Sequence, residues 1–131
     1  MKKIIALLLV VCTLCVGLVS CVDMKSFIDN LGDDYEIKNL TGDEVNALAA
    51  LYGVEAKDYG IGETIKATHK ERGTYVYIFE CSSEENATAL KSDTAGAITS
   101  SNLLSSVKIT SVVEAQFVLI GAESVIQDAL D

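Results

Sequence analysis

Residues 74–81, Thr-Tyr-Val-Tyr-Ile-Phe-Glu-Cys, constrain this chain more than any other stretch. A strand sends alternate side chains to opposite faces. Here Tyr75, Tyr77 and Phe79 point one way, and Val76 and Ile78 the other. The segment is therefore apolar on both sides and reads as a central strand. Left exposed it would be an aggregation hazard, so other elements must cover it. Phe117-Val118-Leu119-Ile120 also lacks a polar face and reads as central.

Other segments supply partners. Thr64 to His69 alternates, with Ile65, Ala67 and His69 on one side, and Lys70 to Gly73 is a turn of hairpin length. Val107 to Val113 pairs with Gln116 to Ile120 as a second hairpin. Its turn has no Gly, Asn or Asp to fix the register. Tyr35 to Leu40 is a candidate early strand. Met24, Phe27, Ile28 and Leu31 fall at i, i+3, i+4 and i+7, a helical stripe ended by Gly32. Thr41-Gly42-Asp43-Glu44 is a capping box opening a helix with Val45, Leu48, Ala49 and Tyr52 on its buried side. Ser82 with Glu85 offers a second box. The helix after it carries Ala87, Leu90, Ala97 and Ile98 to about Ser101, with Gly96 as a point of kinking or early termination. Ala122 to Leu130 is a short final helix.

"YVYIFECSSEENATAL" and "FVLIGAESVIQDAL" share a plan: central strand, polar turn, helix ending Ala-Leu. Each follows a candidate strand. Two ββα units side by side predict an α+β fold, a largely antiparallel sheet of about four strands with helices packed on one face. The early strand and capped helix would extend it. A ferredoxin-like βαββαβ order is the alternative.

The N-terminus addresses location. Lys2 and Lys3 precede an apolar run from Ile4 to Val22, the pattern of a secretory signal and nearly long enough for a span of about 20 residues. The two lysines hold that end in the cytoplasm either way, so the remainder is exported. Leu18-Val19-Ser20-Cys21 resembles the bacterial lipobox. That resemblance implies recognition of Leu18, Val19 and Ser20 at the cut, a thioether-linked diacylglycerol on Cys21, and acyl chains such as palmitate as the membrane anchor. Cys12 and Cys15 follow Val11 and Leu14, so neither has the small residue before the cut. Their CxxC spacing suits redox or zinc chemistry, but it lies inside the apolar run with no second ligand pair. The expected organisation is a cleaved signal over 1–20 and one lipid-anchored α+β domain over 21–131.

Of 10 Lys and Arg and 19 Asp and Glu, cleavage removes two basic residues and no acidic one, leaving 111 residues at net −11. Such a surface repels phosphate backbones, which argues against nucleic acid; it leaves cationic peptides or divalent metals open as partners, although such a balance usually serves only solubility. With Cys21 acylated, Cys81 has no disulfide partner, so packing must hold the domain. His69 and Cys81 stand at opposite ends of the same hairpin, too far apart for a catalytic dyad. Glu80, Glu84 and Glu85 cluster at a strand–helix junction, where carboxylates could bind a metal or do acid–base work. Glu84 and Glu85 also suit a first helical turn. No cofactor motif is present: Gly60-x-Gly62 is too short for a dinucleotide fingerprint.

"LYGVEAKDYG" (51–60), "YIFECSSEENATAL" (77–90) and "FVLIGAESVIQDAL" (117–130) resemble a family of short lipoproteins of Gram-positive anaerobes that carries a domain of unknown function. The resemblance implies location and single-domain architecture, and brings no substrate or catalytic residue. The expectation is an extracytoplasmic, membrane-anchored binding module for an envelope protein or cationic peptide. The alternatives are a small metal-dependent hydrolase using Glu80, Glu84 and Glu85, or an accessory subunit of an envelope complex.

Overall fold

A computed structural model describes residues 22–103 and 107–131. The helices are α1 (Met24–Leu31), α2 (Gly42–Leu51), α3 (Glu84–Asn102) and α4 (Glu123–Leu130). The strands are β1 (Tyr35–Asn39), β2 (Thr64–His69), β3 (Tyr75–Glu80), β4 (Ile109–Glu114) and β5 (Phe117–Ala122). All five join one sheet in the order β1-β2-β3-β5-β4, every neighbouring pair antiparallel. The fold is α+β. Both strands that lack a polar face are interior: β3 is the middle strand and β5 lies beside it. β1 extends the expected sheet as an edge strand next to β2. That direct pairing excludes the ferredoxin-like order, in which these two strands are not neighbours.

The helices lie on both faces of the sheet, not one. Met24, Phe27 and Leu31 of α1 and Val125, Ile126 and Ala129 of α4 pack with Ile65, Val76, Ile78, Phe117 and Leu119. Leu48 of α2 and Ala87, Leu90 and Ile98 of α3 pack with Phe79, Val118 and Ile120 on the opposite side. The cause is in the central strands: both faces are apolar, and both require cover. At about 25 cal/mol per Å2 of apolar surface, leaving either one wet would forfeit a core's worth of burial.

The internal repeat is out of phase by one residue. Matching Tyr77–Leu90 to Phe117–Leu130 sets Tyr77 and Phe79 against Phe117 and Leu119, yet these pairs face opposite sides. A one-residue shift in a strand moves every side chain to the other face. β5 runs straight into α4, whereas residues 81–83 separate β3 from α3, and the two helices leave for opposite sides.

Local chemistry sets the element ends. Asp23 caps α1 by accepting from the Ser26 N–H, and Gly32 ends it at φ 71°. The Thr41–Glu44 capping box is complete in both directions. Gly96 does not end α3, which runs unbroken to Asn102. The second hairpin turns at Ala115-Gln116, with Glu114 opposite Phe117. Gly121 is held against β3: a Cβ there would collide with the Tyr75 carbonyl oxygen and the Val76 backbone. Among the described residues, no helix is long and apolar enough to cross a membrane.

Candidate functional site

The Glu80–Glu85 junction lies at the upper end of the sheet, where β3 leads into α3. The Gly62 N–H donates to the Glu80 carbonyl at 2.8 Å, and the Glu80 N–H donates to the Glu63 carbonyl at 3.0 Å. Two residues thus oppose one, a local bulge that bends the strand end. The Cys81 N–H donates to the Gln116 carbonyl at 2.8 Å, and the Ser82 N–H to the Tyr59 carbonyl at 3.3 Å. Gly60 sits in the left-handed region at φ 61°, and any Cβ there would fall 2.6 Å from Ser82 Cβ. These contacts frame an open cleft of about 540 Å3, lined by Gly60, Gly62, Glu80–Glu84, Ala115 and Gln116.

The second expected capping box is displaced by one residue. Ser83, not Ser82, is the N-cap, accepting from the Asn86 N–H at 3.1 Å. The backbone bonds of Cys81 and Ser82 prolong the extended connection, so the helix starts later. Ser82 Oγ instead accepts from the Asn86 side-chain amide at 2.6 Å, and Glu85 has no part in the cap.

Chemically the cleft is quiet. Cys81 is buried, and burial, with the Glu80 charge beside it, pushes its thiol up to about 11. At neutral pH it is a protonated thiol, a poor nucleophile. Glu80 is half-buried, whereas Glu84 and Glu85 are exposed. Among the described residues no group of three or more His, Cys, Asp or Glu side chains could hold a metal ion, so these three carboxylates do not converge on one. His69 is at the far end of the sheet: its N–H donates to the Thr74 carbonyl. Seven residues of strand separate that level from Cys81, roughly 23 Å at 3.3 Å each. His69 Nδ1 accepts from the Glu71 and Arg72 N–H groups at 3.2 and 3.1 Å, and its ring meets Tyr35 edge-on at 5.0 Å. It organises the turn.

A second surface escaped the sequence reading. Tyr75 and Tyr77 are half-buried and meet edge-on at 5.3 Å. Lys66 Nζ lies 4.8 Å from the first ring and 5.5 Å from the second, within cation–π range. Beside them a cavity of about 340 Å3 is lined by Tyr52, Arg72, Thr74, Tyr75, Ser101 and Ile109, among others. Thr74 Oγ1 is buried there with no hydrogen-bond partner. Leu51, next in the chain to Tyr52, and Leu103, two residues past Ser101, are 78% and 81% exposed at the C-terminal ends of α2 and α3. Alternation along β3 correctly placed Tyr75 and Tyr77 on one face. It gave no sign that α2 and α3 leave the lower part of that face partly open. The signal available was composition: tyrosine, unlike Phe79, carries a polar tip suited to a half-wet position.

Leu18, Val19, Ser20 and Cys21 lie outside the described residues, as do Cys12 and Cys15. The first described element follows them closely, with α1 capped at Asp23. No protein family, curated protein or solved structure compared with the chain matches it.

Proposed function

We propose that the protein is an extracytoplasmic lipoprotein, held to the cell membrane by acyl chains on Cys21, whose domain is a binding module. The observation that carries the reading is the join between address and domain. The lipobox-like Leu18–Cys21 stops two residues before the start of α1 at Met24, and Val22 already packs against the core. An anchor at Cys21 would therefore hold a folded domain directly at the bilayer, with no linker. Two or more acyl chains anchor stably where one is marginal, at roughly 0.8 kcal/mol per buried CH2.

Binding rather than catalysis is supported by the chemistry of the two cleft regions. The upper one has a protonated, buried thiol and carboxylates that do not converge. The lower one offers tyrosine rings and an orphaned hydroxyl, with the exposed Leu51 and Leu103 one and two residues along the chain from its lining residues Tyr52 and Ser101, the amphipathic surface that interfaces favour. The acidic balance of the chain favours a cationic peptide or an envelope protein with a basic face as partner. Photo-crosslinking from position 75 in intact cells, followed by mass spectrometry, tests this. Capture of one such partner, lost on Tyr77→Ala, is expected. Crosslinks no different from those of an exposed control position on α3 would contradict it.

A further inference from the structure

The two edges of the sheet are treated differently. In an antiparallel pair, alternate residues bond to the neighbour and the others present N–H and C=O to the outside. At the β4 edge the outward residues are Ile109, Ser111 and Val113. The side chain of Asn102 closes on Ile109, accepting from its N–H and donating to its carbonyl, both at 2.8 Å. At the β1 edge, the Leu40 N–H donates to the Thr64 carbonyl and the Lys70 N–H to the Asp34 carbonyl. The even-numbered residues of β1 therefore bond to β2. Tyr35, Ile37 and Asn39 turn their backbone groups outward, and among the described residues no strand pairs with them. A cavity of about 620 Å3 lined by Glu36, Ile37, Lys38, Asn39, Lys66 and Thr68 runs along this strand.

An unpaired edge is a template for another strand, and the sequence of this one matches itself. We propose that β1 pairs antiparallel with β1 of a second copy about a two-fold axis at Ile37, joining two sheets into one of ten strands. In that register Tyr35 faces Asn39 of the other copy and Ile37 faces Ile37. These are the residues with outward backbone groups, so the ladder closes without a shift. Glu36 then faces Lys38 of the other copy, and Lys38 faces its Glu36, at the closer, non-hydrogen-bonded positions where opposite charges stabilise a sheet pair. Glu36 has no ion pair within its own chain among the described residues. Lys38 Nζ already meets Glu44 at 2.9 Å, and it remains 62% exposed with donors to spare. Any other register on this edge loses either the ladder or both charge pairs. The two copies contribute the same surface patch, as a closed C2 interface requires.

The test uses the full-length chain, co-expressed as two tagged forms, one Glu36→Cys and one Lys38→Cys. Both positions are exposed, so the fold is undisturbed. In the proposed register their Cα atoms stand about 4.5 Å apart, inside the ~4.4–6.8 Å range a disulfide spans. Either variant alone places its own cysteines on the diagonal, about 7–8 Å apart. Mild oxidation of membranes, with mass spectrometry of the linked peptide, is expected to give the 36–38 link from the mixture, several-fold above either variant alone. Introducing Glu36→Lys on both chains, in an otherwise wild-type background, sets lysine against lysine and is expected to remove the dimer from native gels. A 36–38 yield no higher than that of an Asp33→Cys and Asp43→Cys mixture would overturn the proposal. So would links of 36 to 36 in preference to 36 to 38, capture of the Glu36→Cys thiol by a different protein instead, or a Glu36→Lys chain that still runs as the wild-type dimer.

Discussion

Ala115 occupies the left-handed region at φ 53°, the one non-glycine with positive φ among the described residues. A two-residue hairpin loop demands such a conformation, and Asn or Gly normally supplies it. The strain costs an L-residue about 1–2 kcal/mol. Ala115→Gly is therefore expected to stabilise the domain by about 1 kcal/mol in urea unfolding, net of the added chain entropy. Unchanged or lower stability would mean that the loop is not under this strain. Three phenols make a second test. The Tyr59 hydroxyl donates to Asp93 at 2.6 Å, and that bond, with burial, pushes its pKa up to about 12. Burial, with the bond to Asp128, does the same for Tyr35, and burial, with Tyr75 nearby, for Tyr52. A raised phenol pKa gives stability that is complete below the ordinary value of 10 and is lost as pH rises toward 12. Unfolding followed against pH should thus show stability falling across that window, and Tyr59→Phe should remove part of the fall. A curve flat to pH 12 would contradict the assignment. At this scale the sequence was partly legible. The missing turn residue at 115 was visible as an uncertainty of register, and it resolved into strain. Thr94, buried with its hydroxyl donating to the Leu90 carbonyl at 2.8 Å, was not legible, because a polar residue inside a helix gives no periodic signal.

The strongest local signal was also the most faithful. Thr41-Gly42-Asp43-Glu44 closes as a capping box, with Thr41 Oγ1 accepting from the Glu44 N–H and Glu44 accepting from the Thr41 N–H. The Thr41 backbone bond and the Lys38 ammonium hold the Glu44 carboxyl down at about 2. A lowered carboxyl pKa gives stability present above the ordinary 4.5 and lost as pH falls toward 2. Carbon NMR of the Glu44 carboxyl should therefore show it ionised well below pH 4, and Thr41→Ala should cost about 1 kcal/mol. A Glu44 titrating near 4.5 would mean that the box is open in solution. Strands were legible by alternation, but the side that each helix takes was not. Both faces of β3 and β5 are apolar, so period two marks them as central without naming the cover for either face. The repeat pointed to one shared face because it compared residue types. The phase that separates Phe79 from Leu119 depends on where each strand enters the sheet, which composition does not encode. The Ser82–Glu85 box failed for a similar reason: the bonds from Cys81 to Gln116 and from Ser82 to Tyr59 are long-range, and they delayed the helix by one residue.

As a whole molecule, the chain is a five-stranded antiparallel sheet covered on both sides, with a partly open tyrosine face, a β4 edge closed by Asn102 at Ile109, and an open β1 edge. The edge explains why β1 is short and carries Glu36 and Lys38, charges that discourage indiscriminate pairing while permitting a matched one. Phe27 of α1 meets Phe117 at 5.0 Å at the upper end of the sheet, and α1 runs from there toward Tyr35 at the lower end. The start of α1 therefore faces the same end as the Glu80–Glu84 cleft. The two-fold of the proposed dimer is perpendicular to the sheet, so it puts the two α1 starts at opposite ends but on the same face; chains anchored at Cys21 would lay the α1 and α4 face along the membrane and leave the tyrosine face turned away from it. Everything in that arrangement depends on the anchor. Metabolic labelling of Cys21→Ala and wild-type chains with an alkyne fatty acid tests it directly. The proposal predicts label on the wild type, and none on Cys21→Ala, which should accumulate as unprocessed precursor. A Cys21→Ala chain processed and membrane-bound like the wild type would contradict it, and the apolar run from Ile4 to Val22 would then be the anchor itself.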